Sequence, residues 1–238
     1  ILLHNFSTEV LLYDKPAHGA CTMIRVANLK QVGGYDEDFD CQDGYELWTK
    51  FIYQFKVVNI NKPLFFYRKH SSNLTNNEKK ILSTRAKINQ KLVDKRNIPI
   101  NTVSILAIRD KEKYFHEVNG KSILERKIDV ILDAKLPDKI IVTSSSKEIK
   151  AHVEMKYADV SRLKFIERPF KLGLKSEPLA KTIEYVLSKE TSEYNTIQVI
   201  SPDFPFVEPY SIDDAINTMY LFDSDSLVSV REDNHMFF

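Results

Sequence analysis

The chain has 238 residues, of which 43% are hydrophobic and 28% charged, enough for one large globular domain or two small ones. Its 34 basic residues face 33 acidic ones, leaving a net charge of +1, a balance that argues neither for nucleic acid nor for a membrane surface, so no nucleic-acid partner is expected. No apolar run approaches the roughly 18 residues of a membrane span, and "ILLHNFSTEV" lacks a signal peptide's basic head and cleavage site. Two cysteines, Cys21 and Cys41, make no disulfide framework, and no Cys/His cluster has zinc spacing. A reduced, cytoplasmic setting follows.

In chain order, "HGACTMI" (18–24) predicts a strand. "RVANLKQV" predicts a short helix stopped at Gly33–Gly34, where glycine accepts a positive φ. From Asp43, apolar residues fall at Tyr45, Leu47, Trp48, Phe51, Ile52 and Phe55, the stripe of a helix packed into a core. Asp43 heads that run and is read either as its N-cap or as a functional carboxylate. "KVVNI" and "PLFFYRK" read as short strands. The polar stretch "HSSNLTNNEKK" then leads into a basic helical pattern ended by Asn97 and Pro99, so 76–101 is predicted to be a helical connector.

From 102 the rhythm changes. "TVSILAI", "KIIVTS", "LKFIE", "TIQVI" and "SLVSV" predict strands, alternating with helical runs at 122–135, 146–157, 177–190 and 211–222. Ser122 with Glu125, Ser176 with Glu177, and Ser211 with Asp214 are expected to cap helix starts. Apolar strands separated by amphipathic helices imply right-handed crossovers and a Rossmann-like, mostly parallel sheet with flanking helices, an α/β fold.

The first segment offers, in order, His18–Gly19, "GGYDE" (33–37), "QDGYELW" (42–48) and "YRKH" (67–70). This order resembles the C-terminal half of the catalytic domain of family 2 glycosyltransferases, which have the GT-A fold, and it covers residues 1–75. The resemblance implies inverting sugar transfer with Asp43 as the base that takes the acceptor's proton. It implies substrate-binding roles for His18, Gly19, Asp36, Glu37, Arg68 and His70, the last two approaching the donor's metal and diphosphate. The partners implied are a nucleotide sugar and a glycan acceptor, with Mg²⁺ or Mn²⁺ in the intact parent. Such enzymes act in surface-polysaccharide assembly, in the cytoplasm at the inner face of the membrane. Asp36–Glu37–Asp38 and Asp38–Phe39–Asp40 spell the D-x-D of metal-bound sugar nucleotides, but the family's motif lies in its N-terminal half. These acids are therefore not expected to hold the donor's metal.

Residues 102–238 resemble the N-terminal half of acylneuraminate cytidylyltransferases, nucleotidyltransferases that activate acidic sugars. The carrying stretches are "SILAIR", "NGKSILERKI", "KIIVTSSSKEI", "ERPFKLGLKSEPL" and "IQVISPDFPF". The resemblance implies CTP and an acidic sugar as ligands, nucleotide contacts from Arg109, Lys121, Gln198 and Ser201, and a homodimer. In a second alignment, Asp203–Phe204–Pro205 corresponds to the metal-binding "D-x-P" turn of related nucleotidyltransferases, which would make Asp203 the metal ligand. The chain departs from the family after its first strand. Where the family has small residues whose N–H groups cradle a triphosphate, this chain has Asp110, Lys111 and Glu112. Bulky side chains block such an approach, and acids repel phosphate.

The expected whole is thus a glycosyltransferase part (1–75), a helical linker (76–101) and a C-terminally truncated cytidylyltransferase-like domain with a degenerate CTP loop. The alternative makes the second domain a non-catalytic binding or scaffolding module. The chain begins without Met and stops just after a predicted strand, so it reads as a piece of a longer polypeptide, inactive by itself.

Overall fold

The computed structural model describes residues 22–230, apart from 53, 59–61, 63–65, 67, 69, 74, 75 and 110. The chain divides into two compact units, 1–88 and 89–238.

In the first unit, α1 (Val26–Gln31) ends at Gly33 and Gly34, whose φ values of 81° and 73° are those of a glycine helix stop. The N–H of Gly34 reaches back to Leu29 O at 3.0 Å. Helix α2 (Asp43–Phe51) buries Tyr45, Leu47 and Phe51 of the predicted stripe together with Glu46 and Thr49, while Trp48, Ile52 and Phe55 are half-buried. The structure corrects the cap expected at its start. Gln42 is the N-cap, in a left-handed conformation with φ 58°, and it makes no side-chain cap bond. Asp43 is instead the first helical residue, with an exposed side chain. The predicted strand 18–24 lies mostly outside the described residues, and 22–24 are irregular. Residues 56–58 are likewise not a strand, and the remainder of "KVVNI" and most of "PLFFYRK" lie outside the described residues.

Helix α3 (Glu78–Arg96) is the helix predicted within 76–101. Its first turns anchor the α2 entrance. Arg85 Nε donates to Gln42 Oε1 at 2.9 Å, its guanidinium lies 5.0 Å from the Tyr45 ring centre, and Cys41 Sγ meets Thr84 Oγ1 at 3.1 Å.

In the second unit, β1 (Thr102–Ala107), β4 (Lys139–Ser144), β5 (Leu163–Glu167) and β6 (Thr196–Ile200) form an all-parallel sheet of order β5-β4-β1-β6. Between β1 and β4 come α4 (Lys111–Phe115), the two-residue strands β2 (Glu117–Val118) and β3 (Lys121–Ser122), and α5 (Ile123–Asp133). Then follow α6 (Lys147–Lys156), α7 (Leu179–Leu187) and α8 (Pro209–Leu221). One face of the sheet, with Leu106, Ile140, Val142 and Ile200, packs against Leu124, Ile128 and Ile131 of α5, Ile149 and Val153 of α6, and Ile212 of α8. The other face, with Val103, Ile105, Ile141 and Ile166, packs against Val186 of α7. The α/β architecture with a parallel sheet and flanking helices is therefore the one that the strand–helix alternation predicts. Among the described residues no helix is long and apolar enough to cross a membrane.

Two of the three predicted caps are corrected. Ser122 and Glu125 do form a reciprocal capping box on α5. The N-cap of α7 is Pro178, not Ser176, and α8 starts at Pro209, which places Ser211 inside the helix. Pro suits the first helical position because its fixed φ is helical and its missing N–H has no partner there. Ser146, not predicted, caps α6 by accepting from Ile149 N. Residues 226–230 are described but pair with no strand.

Lys127 on α5 is 1% exposed, and its ammonium donates to Phe204 O at 2.6 Å. Burial pulls its pKa down from 10.5 to about 8. Above that value the folded protein releases a proton that the unfolded chain still holds, so this group makes stability rise with pH. Denaturant melts between about pH 7.5 and 9.5 are expected to show that rise, and Lys127→Met to remove up to about 2 kcal/mol of it.

Candidate functional site at the carboxyl ends of the parallel strands

The chain steps from β1 to β4 and β5 in one direction, then returns to place β6 on the other side of β1. Ligands of open α/β sheets bind outside the carboxyl ends of the strands at such a switch point. Two predicted residues, Arg109 after β1 and Asp203 after β6, lie on the segments leaving these two neighbouring strands.

The best-defined group at this end of the sheet is Arg168, directly after β5. It is 2% exposed. Its Nη1 donates to Thr143 O at 3.0 Å and its Nη2 to Ile108 O at 2.7 Å, so one guanidinium ties the ends of β1 and β4. Its buried Nε has no hydrogen-bond partner. Burial, and then the neighbouring Arg109, lower its pKa to about 10, which leaves it charged at neutral pH. Arg109 donates to Glu177 O at 3.0 Å. Among the described residues neither arginine has an ion-pair partner. Close by, Gly173 ends a 3-10 turn (Phe170–Gly173), and a Cβ added there would stand 3.2 Å from Ser145 Oγ and 3.8 Å from Arg168 Nη2. The site therefore has a tight wall of Gly173, Ser145 and Arg168.

On the β6 side, Asp203 Oδ1 accepts from Lys113 Nζ at 2.5 Å and from Tyr114 Oη at 2.9 Å. These two donors hold its carboxyl below the usual carboxylate range. Ser201 Oγ accepts from Asp203 N at 3.2 Å, an ST turn that shapes the loop. The segment after β1 contains α4, which delivers Lys113 and Tyr114 to Asp203.

The other predicted nucleotide contacts are engaged elsewhere. Gln198 bridges β1 and α8, accepting from Ser104 Oγ at 2.8 Å and donating to Ile212 O at 3.0 Å. Lys121 is paired with Asp129 at 2.7 Å on α5. The metal implied by both resemblances finds a poor donor set. Asp203 already carries an ammonium and a phenol, and among the described residues no group of three or more His, Cys, Asp or Glu side chains could hold a metal ion.

In the first unit, Asp36 Oδ1 accepts from Asp38 N at 3.1 Å, an Asx turn after the Gly33–Gly34 stop. Glu37 is exposed, and Asp40 is paired with Lys80 at 2.6 Å. His70 Nδ1 meets Ser72 Oγ at 2.9 Å, and Arg68 O accepts from Asn73 at 3.1 Å, bonds that stay within the 68–76 turn. His18 and Gly19 lie outside the described residues. Lys50 joins Glu46 at 2.7 Å and Gly34 O at 3.0 Å, fixing α2 against the glycine turn.

Sequence reasoning singled out Lys113 only as a positive charge for a phosphate, and it missed Arg168 and the pairing of Lys113 and Tyr114 with Asp203. The available signal for Arg168 was an Arg-Pro step at the end of an apolar strand. The pairing carried none, since Asp203 lies about ninety positions away in the chain.

No protein-family model matches the chain, and no curated protein matches it either. Among solved structures it is similar to CMP:2-keto-3-deoxy-manno-octonic acid synthetase complexed with CTP, with 11% identity, TM-score 0.39, and 50% of this chain and 47% of that one covered. It is similar to 4-diphosphocytidyl-2C-methyl-D-erythritol synthase from Anaerococcus prevotii, with 14% identity, TM-score 0.42, and 51% of each chain covered. A Mycobacterium tuberculosis protein in complex with manganese gives 14% identity, TM-score 0.40, and 52% and 62% coverage. The chain spans about half the length of the first two. Likeness of this degree carries no argument about activity, and the fold stands on the sheet itself.

Arg168→Met should destabilise the second unit by about 2–4 kcal/mol, because it leaves two strand-end carbonyls without their charged donor. Urea unfolding followed by circular dichroism measures the difference.

Proposed function

We propose that the second unit is a nucleotide-binding module of the cytidylyltransferase type that keeps the fold and has given up nucleotidyl transfer. The observation that carries this reading is the Arg168–Arg109 pair at the strand ends. It comprises two guanidinium groups without ion-pair partners among the described residues, one of them with a buried, unbonded Nε. Such groups suit the oxygens of a nucleotide, and guanidinium remains charged throughout the physiological range. Loss of transfer follows from the segment after β1. A triphosphate needs several backbone N–H groups converging on it. Here that stretch holds Asp110 and Glu112 and winds into α4. Calorimetric titration with CTP and Mg²⁺, with pyrophosphate assayed in parallel, tests the reading. Binding weakened at least tenfold by Arg109→Ala, with no pyrophosphate released, is expected. Release of pyrophosphate on adding an acidic sugar would overturn it.

For the first unit we propose descent from the acceptor half of an inverting glycosyltransferase, with Asp43 as the base. What supports this is that Asp43 stands exposed in the first turn of α2 and is not used as a cap. A carboxylate so placed can take the proton of an acceptor hydroxyl brought within hydrogen-bond reach. In a chain that carries the donor-binding half, Asp43→Asn is expected to lower sugar transfer by at least a hundredfold with the fold unchanged. Transfer at the parent rate would remove Asp43 from the role.

A further inference from the structure

Asp203 is held from several sides. Tyr114 is 5% exposed, so core packing fixes the hydroxyl that meets Asp203 Oδ1. Lys113, next to it on α4, brings its ammonium to the same oxygen at 2.5 Å. The backbone N–H of Asp203 is taken by Ser201 Oγ, and the following carbonyl, of Phe204, accepts from the buried Lys127. The carboxylate is therefore presented, at the switch point of the sheet, to a cation that the chain itself supplies.

We infer that the Lys113 ammonium takes the place of a divalent cation at Asp203, so that this site takes its ligand without a bound metal ion. The charge bookkeeping is simple. Asp203 and Lys113 together are neutral, so the pair offers no net attraction to a divalent ion. An ammonium about 4 Å from such an ion weakens its binding on the order of thirtyfold even with bulk-water screening, and more with less. Hard divalent cations also require several oxygen ligands, and among the described residues Asp203 belongs to no group of three or more His, Cys, Asp or Glu side chains that could hold one. Both side chains of the pair are about half-exposed, so the contact adds little stability. Its consequence is for charge at the site. The part of the inference that concerns the ligand rests on the nucleotide-binding reading above, while the part that concerns the cation does not.

Manganese is a suitable probe, because bound Mn²⁺ broadens nearby amide resonances. In the isotope-labelled full chain, up to about 1 mM Mn²⁺ should leave residues 201–206 no more broadened than the surface at large. Lys113→Met should create selective broadening at 201–206, and adding Asp203→Asn should abolish it. Lys113→Arg, which keeps the positive charge, should behave as the parent. Unshifted amides elsewhere in the sheet verify that each variant is folded. Selective broadening in the parent chain that Asp203→Asn removes would overturn the inference, and so would a folded Lys113→Met chain that gains none. In a second arm, CTP affinity should agree within about twofold with EDTA or with Mn²⁺ present, and a tenfold gain from the metal would count against the inference. A chain that binds no CTP under either condition defeats the nucleotide reading and leaves the manganese result to decide the cation.

Discussion

The second unit is organised by the complete burial of β1. Val103, Ile105 and Leu106 have no exposed surface, and the strand takes backbone hydrogen bonds from β4 on one side and β6 on the other. A strand buried on both faces requires cover on both, which α5, α6 and α8 give on one side and α7 on the other. It also requires that the chain leave the sheet without stranding a backbone group away from water. Ile108 N–H meets Thr143 O at 2.9 Å, and Ile108 O accepts from Arg168. The guanidinium is thus part of the solution to a backbone problem before it is part of any site.

That solution sets the electrostatics of the ligand-facing end. One arginine is committed to strand-end carbonyls, and because it is buried it lies in surroundings that strengthen its field. Arg109 stands near enough to depress it further. Two cations therefore stand at one edge of the sheet, beside the segment that follows β1. A glycine-rich loop would offer N–H groups from every direction. Here the chain instead winds into a short helix that gives two side chains, Lys113 and Tyr114, to Asp203. Arg168 serves the sheet itself, since its two donors close the carbonyls of Thr143 and Ile108.

Much of this was legible in the sequence, for reasons that differ by element. The bounds of β4, β5 and β6 coincide with the predicted runs, because each is a short apolar stretch between turn-forming residues. The α5 capping box was readable because all its partners lie within four residues. The caps at Ser176 and Ser211 failed where a nearby Pro decided the helix start instead. Residues 226–230 have strand periodicity, but a strand exists only where a partner pairs with it, and that is not a local property. The same limit hid the pairing of Lys113 and Tyr114 with Asp203. The amide of Gln198, expected from its motif to meet a nucleotide, joins β1 to α8, a contact that only the packing reveals.

In the first unit, the corrected helix start bears most directly on Asp43. A capping carboxylate accepts a bond from its own helix and turns one oxygen inward. Here the chain enters α2 through Gln42 in the left-handed region, a conformation that costs a residue with a Cβ roughly 1 kcal/mol. Arg85 holds that residue by its side-chain carbonyl while stacking on Tyr45, so tertiary contact rather than local preference maintains the unusual backbone. The arrangement moves Asp43 one position into the helix, where its side chain is exposed and is not the cap. Strain at one residue, sustained from a second helix, leaves the carboxylate at the next residue available.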